Sequence, residues 1–334
     1  MVILNWNGKR FLGECLLSLE KQSYPNFETI VVDNASIDGS IDYLKANYSD
    51  FVKLLALSEN RGFAGGNNVG IRAAKGKYVI LLNNDTRVDP RWLEELVRAA
   101  DRDENVGMCA SKIYFYDKPE VIDNAGLVIY KDGLSRGRGR LEKDSGQFDR
   151  EEEVIFPSGC AALYKRDMLD EIGLFDEDFF LYLDDTDLGL KARLAGWKCI
   201  YVPTAVVYHK YSGSTSAYSP QKGFYVERNR IWVLFKYFPM RMVFSSIYFS
   251  LARYILQGYG AVFHKGAAGK FTAESSIRQA ILILARAYIS ALRGLPMTWK
   301  KRKEIKKIKK ISRKEWYDLF KRFGMGAKEI ALKD

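Results

Sequence analysis

The sequence predicts an α/β fold with a mostly parallel sheet, followed by a helical and basic C-terminal region. Short runs rich in Val, Ile and Leu alternate with helical segments through the first hundred residues. This alternation is typical of βαβ units, whose strands run parallel because a helix returns the chain between them. At 334 residues the chain is long enough for one such domain and an appendage.

Four strands are predicted near the N-terminus, over residues 2–4, 27–32, 52–57 and 77–82. Between the first two, Leu12, Leu16 and Leu19 lie on one helical face, as expected for a helix packed on the sheet. The helix after the fourth strand is predicted to begin at Asp89 and Pro90, a capping residue followed by proline at the first helical position. Residues 114–116, 126–130 and 154–156 are predicted to extend the sheet.

Polar residues follow the end of each predicted strand. They are Asn5 and Asn7 after the first, Asp33 after the second, Gly65, Gly66 and Asn67 after the third, and Asn83, Asn84 and Asp85 after the fourth. Because ligands of open α/β sheets bind outside the carboxyl ends of the strands, we expect these residues to converge on one ligand site. Asp33 is expected to accept a hydrogen bond from a base or ribose. The glycines allow backbone to approach a ligand closely, with Asn67 capping the next helix.

Asp85 is the candidate metal ligand among these residues. A carboxylate beside the amides of Asn83 and Asn84 offers the oxygen ligands that Mg²⁺ or Mn²⁺ uses to hold a diphosphate. The alternative is an Asx turn that closes the strand.

Three carboxylates, Asp184, Asp185 and Asp187, precede a segment with helical character that we expect to run from Asp187 to Gly196. A helix N-terminus favours ionised carboxylates and holds them on a rigid element. A carboxylate held in this way suits a general base. The alternative is a helix cap with a solvated acidic turn.

The combined pattern resembles family 2 glycosyltransferases of the GT-A fold, in particular the bacterial rhamnosyltransferase-like branch that builds surface polysaccharides. The motifs occur in family order over residues 1–235. They occupy residues 31–36, 60–68, 82–86, 158–162, 173–176 and 184–188, with His209 near the end.

The resemblance implies a role for each matching residue. It implies that Asp33 contacts the nucleoside of the donor and that Asp85 binds the metal, with His209 completing the metal shell. It also implies that Asp185 deprotonates the acceptor hydroxyl, with Asp184 as the other member of the acid pair. The reaction implied is a single displacement with inversion, from dTDP-rhamnose or a UDP-hexose to a saccharide or lipid-linked acceptor.

The sequence departs from the family pattern at two of these motifs. The metal triplet reads Asn83-Asn84-Asp85 with one acid, and the acid pair reads Asp184-Asp185 where Glu-Asp is usual. A guanidinium pairs well with phosphate oxygens, so Arg228, or its neighbour Arg230, is predicted to contact the diphosphate.

Several alternatives remain open from the sequence. A sugar nucleotidyltransferase would share the fold and the metal, but the glycine- and arginine-rich loop that it needs after the first strand is missing. The glycines at 62, 65, 66 and 70 lack the dinucleotide-binding spacing. Asn83 and Asn84 are consistent with a membrane-bound scaffold that kept the fold and lost activity. His209 also fits an ordinary core histidine.

The tail carries most of the positive charge. Residues 299–334 contain 14 Lys or Arg against five Asp or Glu, a net of +9, whereas the whole chain is +11. A basic run of this kind is typical of nucleic-acid binding. The two segments before it, residues 243–263 and 277–294, are however largely apolar with a narrow polar stripe. In the first segment the stripe is Ser246, Ser250, Arg253 and Gln257. This pattern favours an anionic membrane surface as the partner instead of nucleic acid. A helical hairpin packed on the catalytic domain, or forming a homo-dimer, is the alternative.

The domain organisation and location follow from these patterns. We expect a catalytic domain over residues 1–235, with a donor half at 1–110 and an acceptor half at 111–235, and an amphipathic, basic region at 236–334. The four cysteines occur singly, as expected of thiols in a reducing compartment. Met1 leads directly into the first predicted strand without a signal-like segment. We therefore expect a cytoplasmic protein, peripheral on the inner face of the cell membrane, with a lid over the donor at residues 211–218.

Overall fold

The computed structural model describes residues 1–210, 219–274 and 276–333. The predicted lid at residues 211–218 lies outside these described residues. The strands are β1 Val2–Asn5, β2 Thr29–Asp33, β3 Val52–Ala56, β4 Tyr78–Asn83, β5 Thr86–Val88, β6 Val106–Phe115, β7 Lys118–Asn124, β8 Leu127–Ile129, β9 Ser135–Gly137, β10 Glu152–Val154, β11 Ala161–Lys165 and β12 Lys198–His209. The helices are α1 Lys9–Glu20, α2 Ser40–Asn47, α3 Gly62–Ala73, α4 Trp92–Asp101, α5 Arg166–Ile172, α6 Asp184–Leu194, α7 Pro220–Tyr237, α8 Met240–Val262, α9 Gly266–Glu274, α10 Ile277–Arg293, α11 Leu295–Ile308, α12 Arg313–Arg322 and α13 Ala327–Leu332.

Ten of the strands in the described ranges form one mixed sheet, with the order β10-β12-β6-β11-β4-β1-β2-β3 and with β5 and β7 paired to β12 and β6. The strands β3, β2, β1, β4, β6 and β12 share one direction, whereas β11 is antiparallel to both of its neighbours. The prediction of a mostly parallel sheet is therefore confirmed. The carboxyl ends of these six strands lie at one edge, which we call the carboxyl edge.

Helices cover both faces of this sheet. On one face, α1 and α4 bury their apolar residues against Ile3 and Val31. On the other face, α3 packs close to Val2, Leu4 and Val32, which alternate with the first set along the strands. This arrangement fixes the orientation of every strand end at the carboxyl edge.

Some predicted boundaries are wrong by a few residues. The helix after β4 begins at Trp92, because Asp89 uses its side chain to accept a hydrogen bond from the Arg91 N–H instead of starting the helix. Helix α6 begins at Asp184, three residues earlier than predicted, so all three acids lie in its first turn. Of the predicted sheet extensions, β8 lies outside the large sheet and pairs with β9.

The chain divides into two compact units. The first comprises Met1–Leu127 with Gly137–Thr215, and the second comprises Val128–Arg136 with Ser216–Asp334. The boundary predicted at residue 235 falls inside α7. This helix belongs to the second unit because it packs there; the Trp232 indole N–H donates to the Ala291 carbonyl of α10 over 3.1 Å.

The second unit is helical and contains a buried ion cluster. Arg253 donates to Asp132 Oδ2 over 2.7 Å and pairs with Glu227 Oε1 at 2.8 Å. Arg230 donates to Glu227 Oε2 over 3.0 Å. The polar stripe predicted on α8 therefore faces the interior of the unit, because these charges satisfy one another there.

Candidate active site

The carboxyl edge of the sheet brings together the polar residues that follow β1, β2 and β4. Asn5 and Asp33 are paired in register at the ends of adjacent parallel strands. The Asn5 amide donates to Asp33 Oδ2 over 2.8 Å, and the Asn84 amide donates to Asn5 Oδ1 over 2.7 Å. These bonds connect the strand ends in one buried chain that runs from Asp33 to the residue next to Asp85.

A second set of bonds holds the loops beyond these strands. The backbone N–H of Ser36 donates to Asp33 Oδ1 over 2.8 Å, and the Ser36 hydroxyl accepts from the Asn7 N–H over 2.9 Å. Asn7 Oδ1 accepts in turn from the Ile37 N–H over 2.8 Å. Asp33 is fully buried, with each carboxylate oxygen accepting one of these bonds. Its position is therefore fixed before any ligand binds.

The glycine-rich segment lies within α3, where it allows close packing. A Cβ atom on Gly66 would lie 2.4 Å from the Leu4 side chain, and one on Gly65 would lie 2.8 Å from Arg61 Cβ. Asn67 is inside the helix, where its amide donates to the Phe63 carbonyl over 2.9 Å. The expectation that Asn67 caps this helix is wrong, because α3 already begins at Gly62.

Asp85 lies beside His209 at the ends of β4 and β12. The distance from His209 Nε2 to Asp85 Oδ1 is 3.4 Å, and His209 Nδ1 lies 2.8 Å from Asp123 Oδ2. Asp123 is in turn paired with Arg140. All three members of this Asp–His–Asp cluster are buried. Burial alone would lower the pKa of His209, but the adjacent Cys160 sulfur and the carboxylates of Asp85 and Asp123 raise it well above its ordinary value.

The pair Asp85 and His209 fits part of a divalent-metal site. A carboxylate oxygen is a suitable ligand, and so is the imidazole nitrogen once His209 has lost the proton that its raised pKa favours. The Asp123 carboxylate orients the imidazole ring from its other nitrogen. Within the described ranges, no group of three or more His, Cys, Asp or Glu side chains has the arrangement of a complete metal site. The two protein ligands would therefore need oxygens from a bound ligand to complete the coordination.

The two members of the acid pair differ in their surroundings. Asp185 is half-buried; its Oδ2 accepts from the Gly159 N–H over 3.1 Å and its Oδ1 from the Thr186 N–H over 2.7 Å. Asp184 is buried, and its Oδ1 accepts from the Asp185 N–H over 3.0 Å. Its Oδ2 has no hydrogen-bond partner in the described part of the chain. Asp185 is therefore the more exposed of the two acids.

The pKa values of this pair separate the two acids further. Burial, followed by the charge of Asp185, raises the pKa of Asp184 well above the ordinary value. Burial also raises the pKa of Asp185, but its hydrogen bonds from Gly159 and Thr186 oppose the shift. The backbone hydrogen bonds therefore favour the ionised form of Asp185, whereas Asp184 Oδ2 has no such bond in the described residues.

The backbone before the acid pair is strained. Phe180, Tyr182 and Leu183 have φ angles of 61°, 67° and 58°, in the region that L-residues rarely adopt. Such residues persist where the surrounding structure fixes them. Here the Phe180 carbonyl accepts from the Phe63 N–H over 2.6 Å, and Gly62 lies against it. The start of α3 therefore holds the loop that presents Asp185.

These contacts link both halves of the candidate site inside the first unit. The Asn83 N–H donates to the Cys160 carbonyl over 2.8 Å, and Gly159 immediately precedes Cys160. Gly159 lies between Phe63 and Asp185, with its own N–H bound to the Asp185 carboxylate. The backbone of Gly159 and Cys160 thus connects β4, the strand before Asp85, to the Asp185 carboxylate.

Two predicted phosphate ligands belong to the second unit. Arg230 is buried in the ion cluster, which accounts for its charge without a phosphate. Arg228 is half-buried, with its guanidinium 4.3 Å from the centre of the Trp232 ring. The role of Arg228 at the donor stays a prediction.

Asp123 was missed in the sequence analysis, and Gly159 was included there in a family motif without being given a role. Asp123 could have been found because Asp123-Asn124-Ala125 repeats Asp33-Asn34-Ala35, a carboxylate at the end of an apolar run. Gly159 acts through its backbone N–H, for which a sequence carries no direct signal.

The model of the family described as Glycosyl transferase family 2 matches residues 1–173, more than half of the chain. The O-antigen biosynthesis protein RfbC of Myxococcus xanthus is 28% identical over 209 residues, which are 60% of this chain and 16% of that protein. The N-acetylglucosaminyl-diphospho-decaprenol L-rhamnosyltransferase of Mycobacterium tuberculosis is 28% identical over 237 residues, which are 62% of this chain and 73% of that protein.

The chain spans less than a quarter of the length of some curated relatives that it matches, 22% of one and 16% of another. Among solved structures, GalNAc-T7 with UDP, GalNAc and Mn²⁺ has a TM-score of 0.59 at 17% identity, covering 86% of this chain and 57% of that one. At this identity the likeness shows the fold, and the predicted GT-A fold is confirmed.

Proposed function

Because the chain belongs to glycosyl transferase family 2, we propose that it transfers a sugar from a nucleoside diphosphate sugar to a saccharide acceptor with inversion. The observation that carries this proposal is the connected site at the carboxyl edge. Asp33 ends β2, Asp85 follows β4 and Asp185 lies in the first turn of α6. The Asn5, Asn84 and Gly159 bonds described above connect these positions. One scaffold thus carries a nucleoside ligand, a metal ligand and a base.

The polar residues at the strand ends form the donor half of the site. Asp33 contacts the nucleoside, and Asn5, Asn7, Asn83 and Asn84 shape the pocket at the strand ends. Asp85 and His209 would hold Mg²⁺ or Mn²⁺ together with the diphosphate oxygens. The chemistry that such a cation supplies when bound is neutralisation of the charge on the departing diphosphate.

Asp185 takes the proton in the transfer step. The acceptor oxygen forms a bond to the anomeric carbon while the bond from that carbon to the diphosphate breaks, and the hydroxyl proton moves to the Asp185 carboxylate. The nucleoside diphosphate leaves from the opposite face, which inverts the anomeric configuration. The backbone N–H groups of Gly159 and Thr186 hold the carboxylate in place for this transfer.

The substrate class is proposed from the relatives. The name of the Mycobacterium relative specifies a rhamnosyl transfer to a decaprenol-linked sugar, and the Myxococcus relative is named for O-antigen biosynthesis. We accordingly favour dTDP-rhamnose or a UDP-hexose as donor and a lipid-linked saccharide of surface-polysaccharide synthesis as acceptor.

The outer faces of α8 and α10 support attachment to a membrane surface. On α8 the large apolar residues at 244, 247, 248, 251, 255 and 262 are each more than half exposed, whereas the polar Ser246, Ser250 and Arg253 point inward. On α10, Ile281, Ile289 and Leu292 are also more than half exposed. Exposed apolar faces of this extent, followed by the lysine-rich α11, fit the interface of an anionic bilayer. We therefore propose that the protein attaches to a membrane surface, and its surface-polysaccharide relatives favour the cytoplasmic face.

No single helix in the described ranges is long and apolar enough to cross a bilayer, although the bent pair of α10 and α11 satisfies length and composition criteria together. The alternative partner for these apolar faces is a second copy of the chain, which would form a homo-dimer. The molar mass in solution, measured by light scattering, separates the two because a dimer would bury the faces without lipid.

The donor site is tested by thermal unfolding with nucleoside diphosphates and nucleotide sugars, with and without Mn²⁺, on wild type and Asp85→Asn. A ligand at a hundred times its Kd raises the free energy of unfolding by about 2.7 kcal/mol. We expect a metal-dependent stabilisation by one nucleotide that Asp85→Asn loses.

Product analysis completes this test. Slow hydrolysis of the same nucleotide sugar to nucleoside diphosphate supports a glycosyltransferase, whereas pyrophosphate release from a nucleoside triphosphate and a sugar phosphate would indicate a nucleotidyltransferase. Absence of any nucleotide binding would contradict the proposal and favour the inactive scaffold.

A further inference from the structure

The second unit contains a cavity of about 460 Å³ that the proposed transfer reaction does not use. Its walls come from α7, α8, α9, α10 and α13, and most of the lining side chains are apolar. They include Val226, Tyr254, Phe271, Ile283, Leu284 and Ile330. Pockets that hold small ligands fall in the range of about 300–1,000 Å³ and are mostly apolar. The cavity is open at one side, so its apolar lining stays in contact with water unless an occupant covers it.

A glycine on α8 borders this cavity. Gly258 lies near the C-terminal end of the helix and is exposed, and a Cβ atom there would meet no described atom within 4 Å. Gly66, Gly70 and Gly189 allow close packing, since a Cβ atom on each would lie within 2.4 Å of a neighbour. Gly258 has no such neighbour, so a larger side chain at this position has room to extend into the cavity.

The acidic residue and the arginine at the cavity wall are already paired. Glu227 and Arg253 line it, but they pair with each other, and the Tyr254 hydroxyl donates to Glu227 Oε2 over 2.6 Å. A polar ligand would have to compete with these bonds, while a hydrocarbon needs no hydrogen bond from the wall.

The position of the opening indicates where the occupant comes from. Ile277 and Ile281 line the cavity and are 55% and 60% exposed. The cavity therefore opens on α10, beside the apolar face that we assign to the membrane. A chain leaving the bilayer could enter there without crossing water.

We infer that this cavity binds one hydrocarbon chain of a membrane lipid. The inference rests on the membrane attachment in the proposed function and extends it, because a lipid tail held here would keep a lipid-linked acceptor on the protein. Isoprenoid and acyl chains share this chemistry, and the experiment distinguishes them.

The test is isothermal titration of the full chain with farnesyl phosphate and with dodecyl phosphate, each below its micelle concentration. Gly258→Leu places a side chain in the cavity, and Gly258→Ala is the matched control. We expect the leucine variant to weaken binding at least tenfold, the alanine variant to bind within twofold of wild type, and neither to unfold at a lower temperature. Gly223→Leu is the second cavity-filling variant, because a Cβ atom there is 3.5 Å from Ile283.

Each outcome has a defined meaning. Binding of farnesyl phosphate alone supports the inference with an isoprenoid tail as the source, and binding of both probes supports a general lipid chain. Failure of both probes to bind, or equal binding by the leucine variants, would overturn it. Flotation with anionic vesicles separates this result from the proposed function: a wild type that floats but binds neither probe loses only the cavity inference. A wild type that binds a probe but does not float keeps the cavity inference and loses the membrane attachment.

Discussion

At the scale of single residues, two adjacent aspartates acquire different chemistry from their surroundings. Asp185 reaches solvent and is held by the N–H groups of Gly159 and Thr186, whereas Asp184 is buried. Two carboxyl groups this close do not both ionise readily, so the better-stabilised one carries the charge. Backbone hydrogen bonds therefore favour the charged form of Asp185, the proposed base. The presence of Asp at position 184, where the family pattern has Glu, leaves these bonds intact.

Asp185→Asn should lower kcat by about 10² to 10⁴, the usual contribution of a general base, with little change in thermal stability. Because burial raises the pKa of Asp185, wild-type activity should rise with pH through a value above that of an ordinary aspartate. The measurement is a pH–rate profile with acceptor present. The Asn variant should lose this acidic limb, and an unchanged limb would show that another group is the base.

The site residues differ in how well the sequence predicts them. Asp33 and Asp85 were predictable because they follow apolar runs whose carboxyl ends must meet at one edge of a parallel sheet. Asp123 lies near the end of β7, an antiparallel strand paired to β6, so its approach to His209 depends on a pairing that no local pattern predicts. The link from Asn83 through Cys160 to Asp185 likewise depends on β11, the reversed strand.

At the scale of elements, the start of α3 supports the loop before α6. Gly62 has a φ of 68°, and a Cβ atom there would lie 2.2 Å from the Phe180 carbonyl oxygen. This glycine therefore permits the contact that holds the strained loop carrying Asp185. The sequence indicated a glycine-rich segment but assigned it to ligand approach, since the partner loop lies more than a hundred residues away.

Gly62→Ala should lower the free energy of unfolding by about 1–3 kcal/mol, because alanine must adopt a strained φ and displace the Phe180 backbone. Urea unfolding measures this change, and kcat should fall with it as Asp185 shifts. Gly326→Ala is the control, since a Cβ atom there meets no described atom within 4 Å and its φ is −85°. Equal stability of the two variants would contradict the role given to Gly62.

At the scale of the whole molecule, charge is divided between the interior of the second unit and its surface. The polar stripe on α8 was predicted to face a membrane surface, but it faces the buried ion cluster. Periodicity shows that these polar residues share one face of the helix. It does not show that Asp132, from a distant segment, accepts their hydrogen bonds. Burial would raise the pKa of Glu227, but Arg253 and Arg230 outweigh it and lower the pKa to about 2.

This lowered pKa makes the stability of the second unit sensitive to acid. The pKa of Glu227 falls from 4.5 to about 2 on folding, so its contribution is fully present above pH 4.5 and is lost as pH falls toward 2. The shift corresponds to about 3 kcal/mol. Glu227→Gln should be destabilised by about 3–5 kcal/mol at pH 7, with the gap to wild type narrowing below pH 4. Urea unfolding at pH 7, 5, 4 and 3 measures it, and the exposed Glu304→Gln should show no gap.

The surface of the second unit combines an apolar face with a basic run, and each should contribute separately to membrane binding. Replacing Ile247 and Ile255 on α8 with serine should weaken flotation with anionic vesicles at least tenfold, because each exposed isoleucine that enters the bilayer is worth about 1.5–3 kcal/mol. Folding should be unaffected, since both side chains are exposed in water. Raising the salt concentration should weaken vesicle binding of the wild type and of the double variant by the same factor, because salt screens the lysines and does not affect the apolar face.

Ile37→Ser is the matched control for this experiment. Ile37 is 92% exposed but lies in the first unit, outside the proposed membrane face, so its replacement should leave flotation unchanged. A different result would identify the apolar face as a protein interface. In that case the α8 double variant would float as well as the wild type, but the wild type would be a dimer and the variant a monomer. Attachment would then depend on the basic run alone and should vanish at high salt.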